Sequence, residues 1–88
     1  MIRENLQVIN QLGIHARPAQ HIVKVAARFR SELWLEKEGN RVNGKSIMGV
    51  LLLEAESGSP VTVEVDGPDE TDLLAALRQL FLDRFHEE

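Results

Sequence analysis

The segment Gly13-Ile14-His15-Ala16-Arg17-Pro18 combines residue types that could accept and hold a phosphoryl group. It places an imidazole where a loop turns into a helix, and the first N–H groups of a helix, with its dipole, favour an anion. Pro18 falls within the first turn, where its missing N–H costs little. Arg17 adds a guanidinium fork that matches phosphate oxygens. We therefore interpret His15 as a nucleophile that accepts a phosphoryl group, with Arg17 beside it.

The other candidate residues offer no better catalytic centre. His21 follows His15 by six residues, which turns it well away on a helix, and His86 lies near the C-terminus. The chain has no cysteine, and no second histidine lies four residues from His15 to complete a helical metal site. The sequence therefore predicts no metal and no cofactor. The competing interpretation of His15 is an ordinary polar residue in a loop.

The basic residues of the first helix recur at a spacing that puts them on one face. They follow one another by four, three and four residues and comprise Arg17, His21, Lys24 and Arg28. Because this stripe begins at the reactive segment of an acidic chain, it predicts a docking surface that includes Lys24 and Arg28. The competing interpretation is a solvated helix face.

Apolar residues just after Ser46 could extend this docking surface. Ser46 is predicted to be the N-cap of a short helix, where its hydroxyl would accept a backbone N–H. The helix carries Ile47, Met48 and Leu51 as a candidate apolar anchor, and methionine suits a surface that serves several partners. At least one of the three is expected to belong to the core instead.

Residues 39–46 also satisfy the P-loop pattern G-x-x-x-x-G-K-S. A P-loop needs a strand that ends before its first glycine, and a parallel sheet behind it. Arg41 and Val42 are better used as the return strand of a hairpin, and 88 residues leave too little chain for such a sheet. Nucleotide binding at a P-loop is therefore only a remote alternative.

Length and composition restrict the class of protein. With 88 residues, 43% of them hydrophobic and 27% charged, the chain is expected to form one domain over residues 1–88. The net charge of −4 argues against nucleic-acid binding. No apolar run approaches the length of a membrane span, and the N-terminus lacks the shape of a signal peptide. With the absence of cysteine, these features predict a cytoplasmic protein without membrane insertion.

Hydrophobic spacing and turn signals predict three helices and four strands. Helices are expected over residues 16–29, 47–53 and around 73–85, with Asp69 and Asp72 as a capping arrangement for the last one. The predicted strands are residues 6–9, 31–37, 41–43 and 61–66.

The turn signal Glu38-Gly39-Asn40 joins the second and third strands in a hairpin, which excludes a purely parallel sheet. In the last strand Val61, Val63 and Val65 alternate with polar residues, so one face of the sheet is expected to be exposed to solvent. The order β-α-β-β-α-β-α therefore predicts an α+β fold of two layers, with helices on a single face of one sheet.

The chain resembles the HPr family, the histidine phosphocarrier proteins of the phosphoenolpyruvate-dependent sugar phosphotransferase system. The resemblance rests on GIHARPA at residues 13–19 and NGKSIMGV at residues 43–50. The order and lengths of the elements also fit across nearly the whole chain. The resemblance implies an open-faced β-sandwich, a four-stranded antiparallel sheet with three helices on one face.

The resemblance also implies roles and partners. His15 would accept phosphate on Nδ1 from enzyme I and deliver it to sugar-permease A-type subunits, while Arg17 steadies the phosphate. Ser46 would match the regulatory serine that a dedicated kinase, HPr kinase/phosphorylase, modifies in some bacteria. The protein would then be a monomeric carrier and not an enzyme. The alternative is a regulatory module of the nitrogen-related branch, without a direct transport role.

Overall fold

The computed structural model describes residues 1–86, so the last two residues of the predicted domain lie outside the described range. Its elements are β1 (Ile2–Gln7), α1 (Ala16–Ala27), β2 (Glu32–Lys37), β3 (Asn40–Asn43), α2 (Ile47–Leu52), β4 (Pro60–Asp66) and α3 (Glu70–Leu82), followed by a short 3-10 turn at Arg84–His86. This order confirms the predicted α+β class and the open-faced β-sandwich.

The four strands form one antiparallel sheet in the order β1-β4-β2-β3. Leu35 on β2 lies opposite Val63 on one side and Val42 on the other, so these side chains share a face. The three valines of β4 are fully buried on that face. The predicted hairpin is confirmed, because β3 pairs with β2 and occupies the residues that a P-loop would need for its loop.

The helices bury one apolar face each against the sheet. α1 and α3 contribute most of the large side chains of this layer, and α2 contributes Val50. The helix residues in the core are Ala19, Ile22, Ala26, Val50, Leu73, Leu74, Leu77, Leu80 and Phe81. The N-terminus of α1 and the N-terminus of α2 are thereby fixed relative to the same sheet.

The opposite face of the sheet is covered by ion pairs around Glu64. Arg3 donates to Glu64 at 3.0 Å and Arg41 at 2.7 Å, and Glu64 is only 8% exposed. The Arg41 guanidinium, aided by Arg3, lowers the pKa of the Glu64 carboxyl despite its burial. Arg41 also lies 4.9 Å from the centre of the Trp34 ring. The sheet face that was expected to be exposed to solvent is therefore partly covered by long side chains from both edge strands.

The first strand lies earlier in the chain than residues 6–9, where the sequence predicts it. The structure has β1 at Ile2–Gln7, where Ile2 and Leu6 lie opposite Val65 and Val61 of β4. Arg3 and Asn5 lie on the outer face of the sheet, and Glu4, on the inner face, pairs with Arg78 of α3, so the segment carries only a weak apolar signal. Val8 still exchanges hydrogen bonds with Ser59 and Gly58, but outside the regular strand.

The predicted capping arrangement of Asp69 and Asp72 is right in its position and wrong in its hydrogen bonds. Asp69 is the N-cap residue of α3, but within the described chain its carboxylate makes no cap hydrogen bond. It accepts the hydroxyl of Ser31 and the backbone N–H groups of Arg30 and Ser31, at 2.9 Å and 2.8 Å for the two N–H groups. The Asp69 carboxylate thus ties the start of α3 to the segment before β2.

These bonds make the stability of the fold depend on pH. The hydrogen bond from Ser31, followed by that from Arg30, lowers the pKa of Asp69 to about 2. A lowered folded pKa contributes stability that is present above the unfolded value near 4 and is lost as the pH falls toward 2. We expect the melting temperature of Asp69→Asn to fall less between pH 5 and pH 2 than that of wild type. The exposed neighbour variant Asp72→Asn should follow wild type, and parallel curves for all three proteins would contradict the assignment.

The last helix ends earlier than predicted, because Phe85 belongs to a separate turn. α3 stops at Leu82, and Arg84, Phe85 and His86 all have left-handed φ values of 53°, 55° and 62°. Such backbone costs roughly 1–2 kcal/mol per residue. Phe85 is fully buried, and its ring packs edge-on against Phe81 at a centroid distance of 4.8 Å. Burial of this ring offsets the backbone strain and anchors the C-terminal turn.

Candidate functional site

His15 is the N-cap residue of α1, as the sequence predicts. Its backbone is extended, with φ −106° and ψ −160°, and its side chain is half-buried. The Ala19 N–H donates to the His15 carbonyl at 2.9 Å, which begins the hydrogen-bond ladder of the helix. Because Pro18 has no N–H, Ala16 and Arg17 supply the N-terminal donors of α1. The imidazole therefore lies at the positive end of the helix dipole.

The first turn of α1 has one side that is buried and one that is exposed to solvent. Pro18 and Ala19 are buried in the core, whereas Ala16 and Arg17 are exposed. The exposed guanidinium of Arg17 lies two residues after His15 in the same turn. An anion that approached His15 would meet the Arg17 guanidinium and the helix donors together.

The loop before His15 is held against the segment that follows α2. Ile14 donates its N–H to the Ala55 carbonyl at 2.7 Å, and Asn10 donates its side-chain amide to the Gly13 carbonyl at 2.7 Å. Gly13 has a φ of 73°, and a Cβ there would lie 2.6 Å from the Ala55 oxygen and 2.8 Å from the Glu56 Cα. Only glycine fits both the backbone conformation and the close approach. Asn10 acts within its own loop, whereas the role of Ala55 depends on a contact distant in the sequence; sequence reasoning missed both.

Ser46 is the N-cap residue of α2, which confirms its predicted structural position. Its backbone is extended, and its hydroxyl oxygen accepts the Gly49 N–H at 3.2 Å. Val50 donates its N–H to the Ser46 carbonyl at 3.0 Å. Such a cap contributes roughly 1 kcal/mol to stability. The side chain is half-buried and points to the end of a helix, where an added phosphate would meet favourable backbone donors.

The structure brings together part of the predicted docking surface. Lys24 and Ile47 line the same cavity of about 350 Å³ between α1 and α2. Ile47 and Met48 are 38% and 62% exposed, which makes both available to a partner. Leu51 is half-buried and packs against the core, so it is the apolar residue of the set that is partly structural. Arg28 is exposed but lines a different cleft farther along α1.

Within residues 1–86, no group of three or more His, Cys, Asp or Glu side chains could hold a metal ion. In the same part of the chain, no helix combines the length and the apolar character that crossing a bilayer would require.

Comparisons with known proteins agree with this geometry. A family model described as "PTS HPr component phosphorylation site" matches residues 2–83. The phosphocarrier protein HPr of Treponema pallidum (strain Nichols) is 46% identical over 88 residues, which covers 100% of both chains. A crystal structure of HPr from Thermoanaerobacter tengcongensis is similar with a TM-score of 0.95 and 39% identity, covering 100% of this chain and 99% of that one. A crystal structure of an HPr dimer from the same organism is similar with a TM-score of 0.77 and 38% identity, covering 97% and 98%.

The fold and the matched sequence define a phosphocarrier component of the phosphotransferase system. The chain belongs to the HPr family.

Proposed function

We propose that this chain accepts a phosphoryl group on His15 from phosphorylated enzyme I and passes it to sugar-permease A-type subunits. It does so as one cytoplasmic domain, in monomeric form, and as a reactant rather than as an enzyme. The observation that supports this best is the half-buried imidazole of His15 at the N-terminus of α1, with the exposed Arg17 two residues later. The lone pair of Nδ1 forms the bond to phosphorus while the bond between phosphorus and the donor breaks.

The strength of the anion site suits transfer in both directions. A carrier that bound phosphate very tightly would accept it well and release it slowly. The end of a helix at an exposed position stabilises an anion by only about 0.3–1 kcal/mol. Positioning and charge neutralisation at the moment of transfer are then supplied by the partners. His15 and Arg17 are accessible in a single chain, so transfer needs no second copy.

A reconstituted transfer reaction tests this function. The protein is incubated with enzyme I and labelled phosphoenolpyruvate, and an A-type subunit is then added. We expect one label per chain on His15, labile in acid and stable in base, followed by loss of label to the subunit. Label that never reaches any A-type subunit would favour the alternative, a regulatory module of the nitrogen-related branch. Absence of labelling by enzyme I would contradict both functions.

Docking is proposed to use Lys24 and Arg28 together with Ile47 and Met48. The two cations are exposed on α1, and the two apolar residues are exposed on α2. Complementary charge around an apolar contact accelerates encounter and fixes orientation. Leu51 contributes mainly by supporting α2 from beneath, because it packs against the core.

Arg17→Ala should fold normally and transfer phosphate more slowly. The side chain is exposed, so its removal costs little stability. A hydrogen bond to a charged group is worth about 1.5–3 kcal/mol, which corresponds to a loss of about tenfold or more in rate. Rapid-quench measurement of phosphoryl transfer from enzyme I checks this. Arg17→Lys, which keeps the charge without the fork, should give an intermediate rate, and an unchanged rate for Arg17→Ala would show that the backbone donors suffice.

We further propose that Ser46 is a regulatory site for a protein kinase of the HPr kinase/phosphorylase type. A phosphate there adds about −1.5 to −2 charges at a helix N-terminus, where the fold tolerates an anion. The same charge lies next to the exposed Ile47 and Met48, where it opposes docking of a partner that binds an apolar and basic surface.

Ser46→Asp should melt no lower than wild type and accept phosphate at His15 more slowly. A tenfold loss, equivalent to about 1.4 kcal/mol, is the expected scale for a like charge introduced at a docking surface. Thermal melts and transfer kinetics from enzyme I provide the two measurements. Ser46→Ala is the matched control, since it loses the cap hydrogen bond, roughly 1 kcal/mol, but should transfer at the wild-type rate. A wild-type rate for Ser46→Asp would leave Ser46 only its structural role.

A further inference from the structure

The two cations of the proposed docking surface, Lys24 and Arg28, also border a cleft between α1 and the C-terminal turn. The rings of His21 and His86 approach to a centroid distance of 5.5 Å with their planes at 81°. They border the same cleft, of about 390 Å³, and we call this region the α1–C-terminal cleft. It is lined by His21, Lys24, Val25, Arg28, Leu80 and His86.

The α1–C-terminal cleft concentrates donors and positive charge. Four of its six described lining residues are histidine, lysine or arginine, and none of the described lining residues is acidic. Lys24 and Arg28 are exposed basic side chains. Near the cleft, the carboxylate of Asp83 accepts a hydrogen bond from the side-chain amide of Gln79 at 3.0 Å.

Like charges in so small a space repel one another, and a bound anion relieves that repulsion. The cleft also differs from the His15 site in its construction. Its donors come from the side of α1 and from the C-terminal turn, not from the N-terminus of a helix. The apolar side chains of Val25 and Leu80 complete the lining and offer a surface for the uncharged part of a ligand.

We propose that the α1–C-terminal cleft binds a small molecule that carries two or more phosphate groups. The fork of Arg28 and the ammonium of Lys24 supply positive charge, and the adjacent imidazoles of His21 and His86 supply N–H donors. Binding is reversible and involves no covalent step. Because Lys24 also lines the cavity beside Ile47, an occupied cleft would compete with partner docking.

Titration of the full-length, 15N-labelled protein with sodium pyrophosphate at low salt tests the proposal. The Arg17→Ala background weakens any competing anion binding near His15. We expect saturable amide shifts confined to residues 21–28 and 80–86. Inorganic monophosphate should bind at least fivefold more weakly, because it carries fewer charges.

Two variants decide whether the cleft itself is responsible. In the same background His86→Gln should weaken pyrophosphate binding at least fivefold, because it removes a ring from the C-terminal side of the cleft. Arg30→Gln is the matched control, since Arg30 is an exposed cation that does not line the cleft, and it should leave binding unchanged. The proposal is overturned by equal effects of the two variants, by shifts centred on residues 15–18, or by the absence of saturation.

Discussion

His15→Ala should abolish phosphoryl acceptance while the protein remains folded. The proposed reaction needs a nucleophilic nitrogen at the N-terminus of α1, and alanine offers none. Stability should change by about 1 kcal/mol or less, because the imidazole is only half-buried and alanine leaves no buried cavity there. Incubation with enzyme I and labelled phosphoenolpyruvate, followed by a thermal melt, measures both effects.

His21→Ala and His86→Ala are the matched controls for this result. Each removes one of two imidazoles that contact each other, and neither changes the N-cap residue of α1. Both variants should retain acceptance on His15. If the His15→Ala protein still carried base-stable label, the acceptor would be one of these two rings and the assignment of the site would be wrong.

Phe85→Ala should cause the largest loss of stability among the substitutions considered. The ring is fully buried against Phe81, and removal of a buried phenylalanine costs about 3–5 kcal/mol. A domain of this size has about 5–15 kcal/mol of total stability, so the melting temperature should fall by more than about 10 °C. Calorimetry or circular dichroism provides the measurement.

The neighbouring Leu82→Ala separates a specific anchor from a general sensitivity of the C-terminal segment. Leu82 is 67% exposed, so its truncation should cost well under 1 kcal/mol. Similar losses for Leu82→Ala and Phe85→Ala would mean that Phe85 does not anchor the turn through its buried ring.

Local signals in the sequence were sufficient for the positions of the candidate chemical groups. The helix start at His15 and the N-cap at Ser46 follow from residue types within a few positions, and the structure has both helix starts where they were predicted. The hairpin of β2 and β3 follows from its turn residues for the same reason. The proposed chemical roles of His15, Arg17 and Ser46 rest on those positions and stay predictions.

Features that depend on contacts between residues far apart in the chain could not be predicted from the sequence. The Asp69 carboxylate follows a local capping pattern, yet it bonds to Ser31, which is 38 residues away. β1 has few apolar residues and becomes a strand through its pairing with β4. Phe85 continues a helical spacing but leaves the helix, because burial of its ring outweighs regular backbone. In each case tertiary contacts override a local preference.

The hydrogen bond from Ile14 to Ala55 bears on how several partners would share one acceptor in the proposed function. Since Gly13 also backs onto Glu56, the loop carries His15 in a geometry set before any encounter. Because the loop is already ordered, a partner would lose no binding free energy to ordering it. On the proposed function, each partner would instead shape its active site around the same fixed nitrogen. Discrimination among partners would therefore be decided at the rim of the contact, leaving the transfer geometry common to all of them.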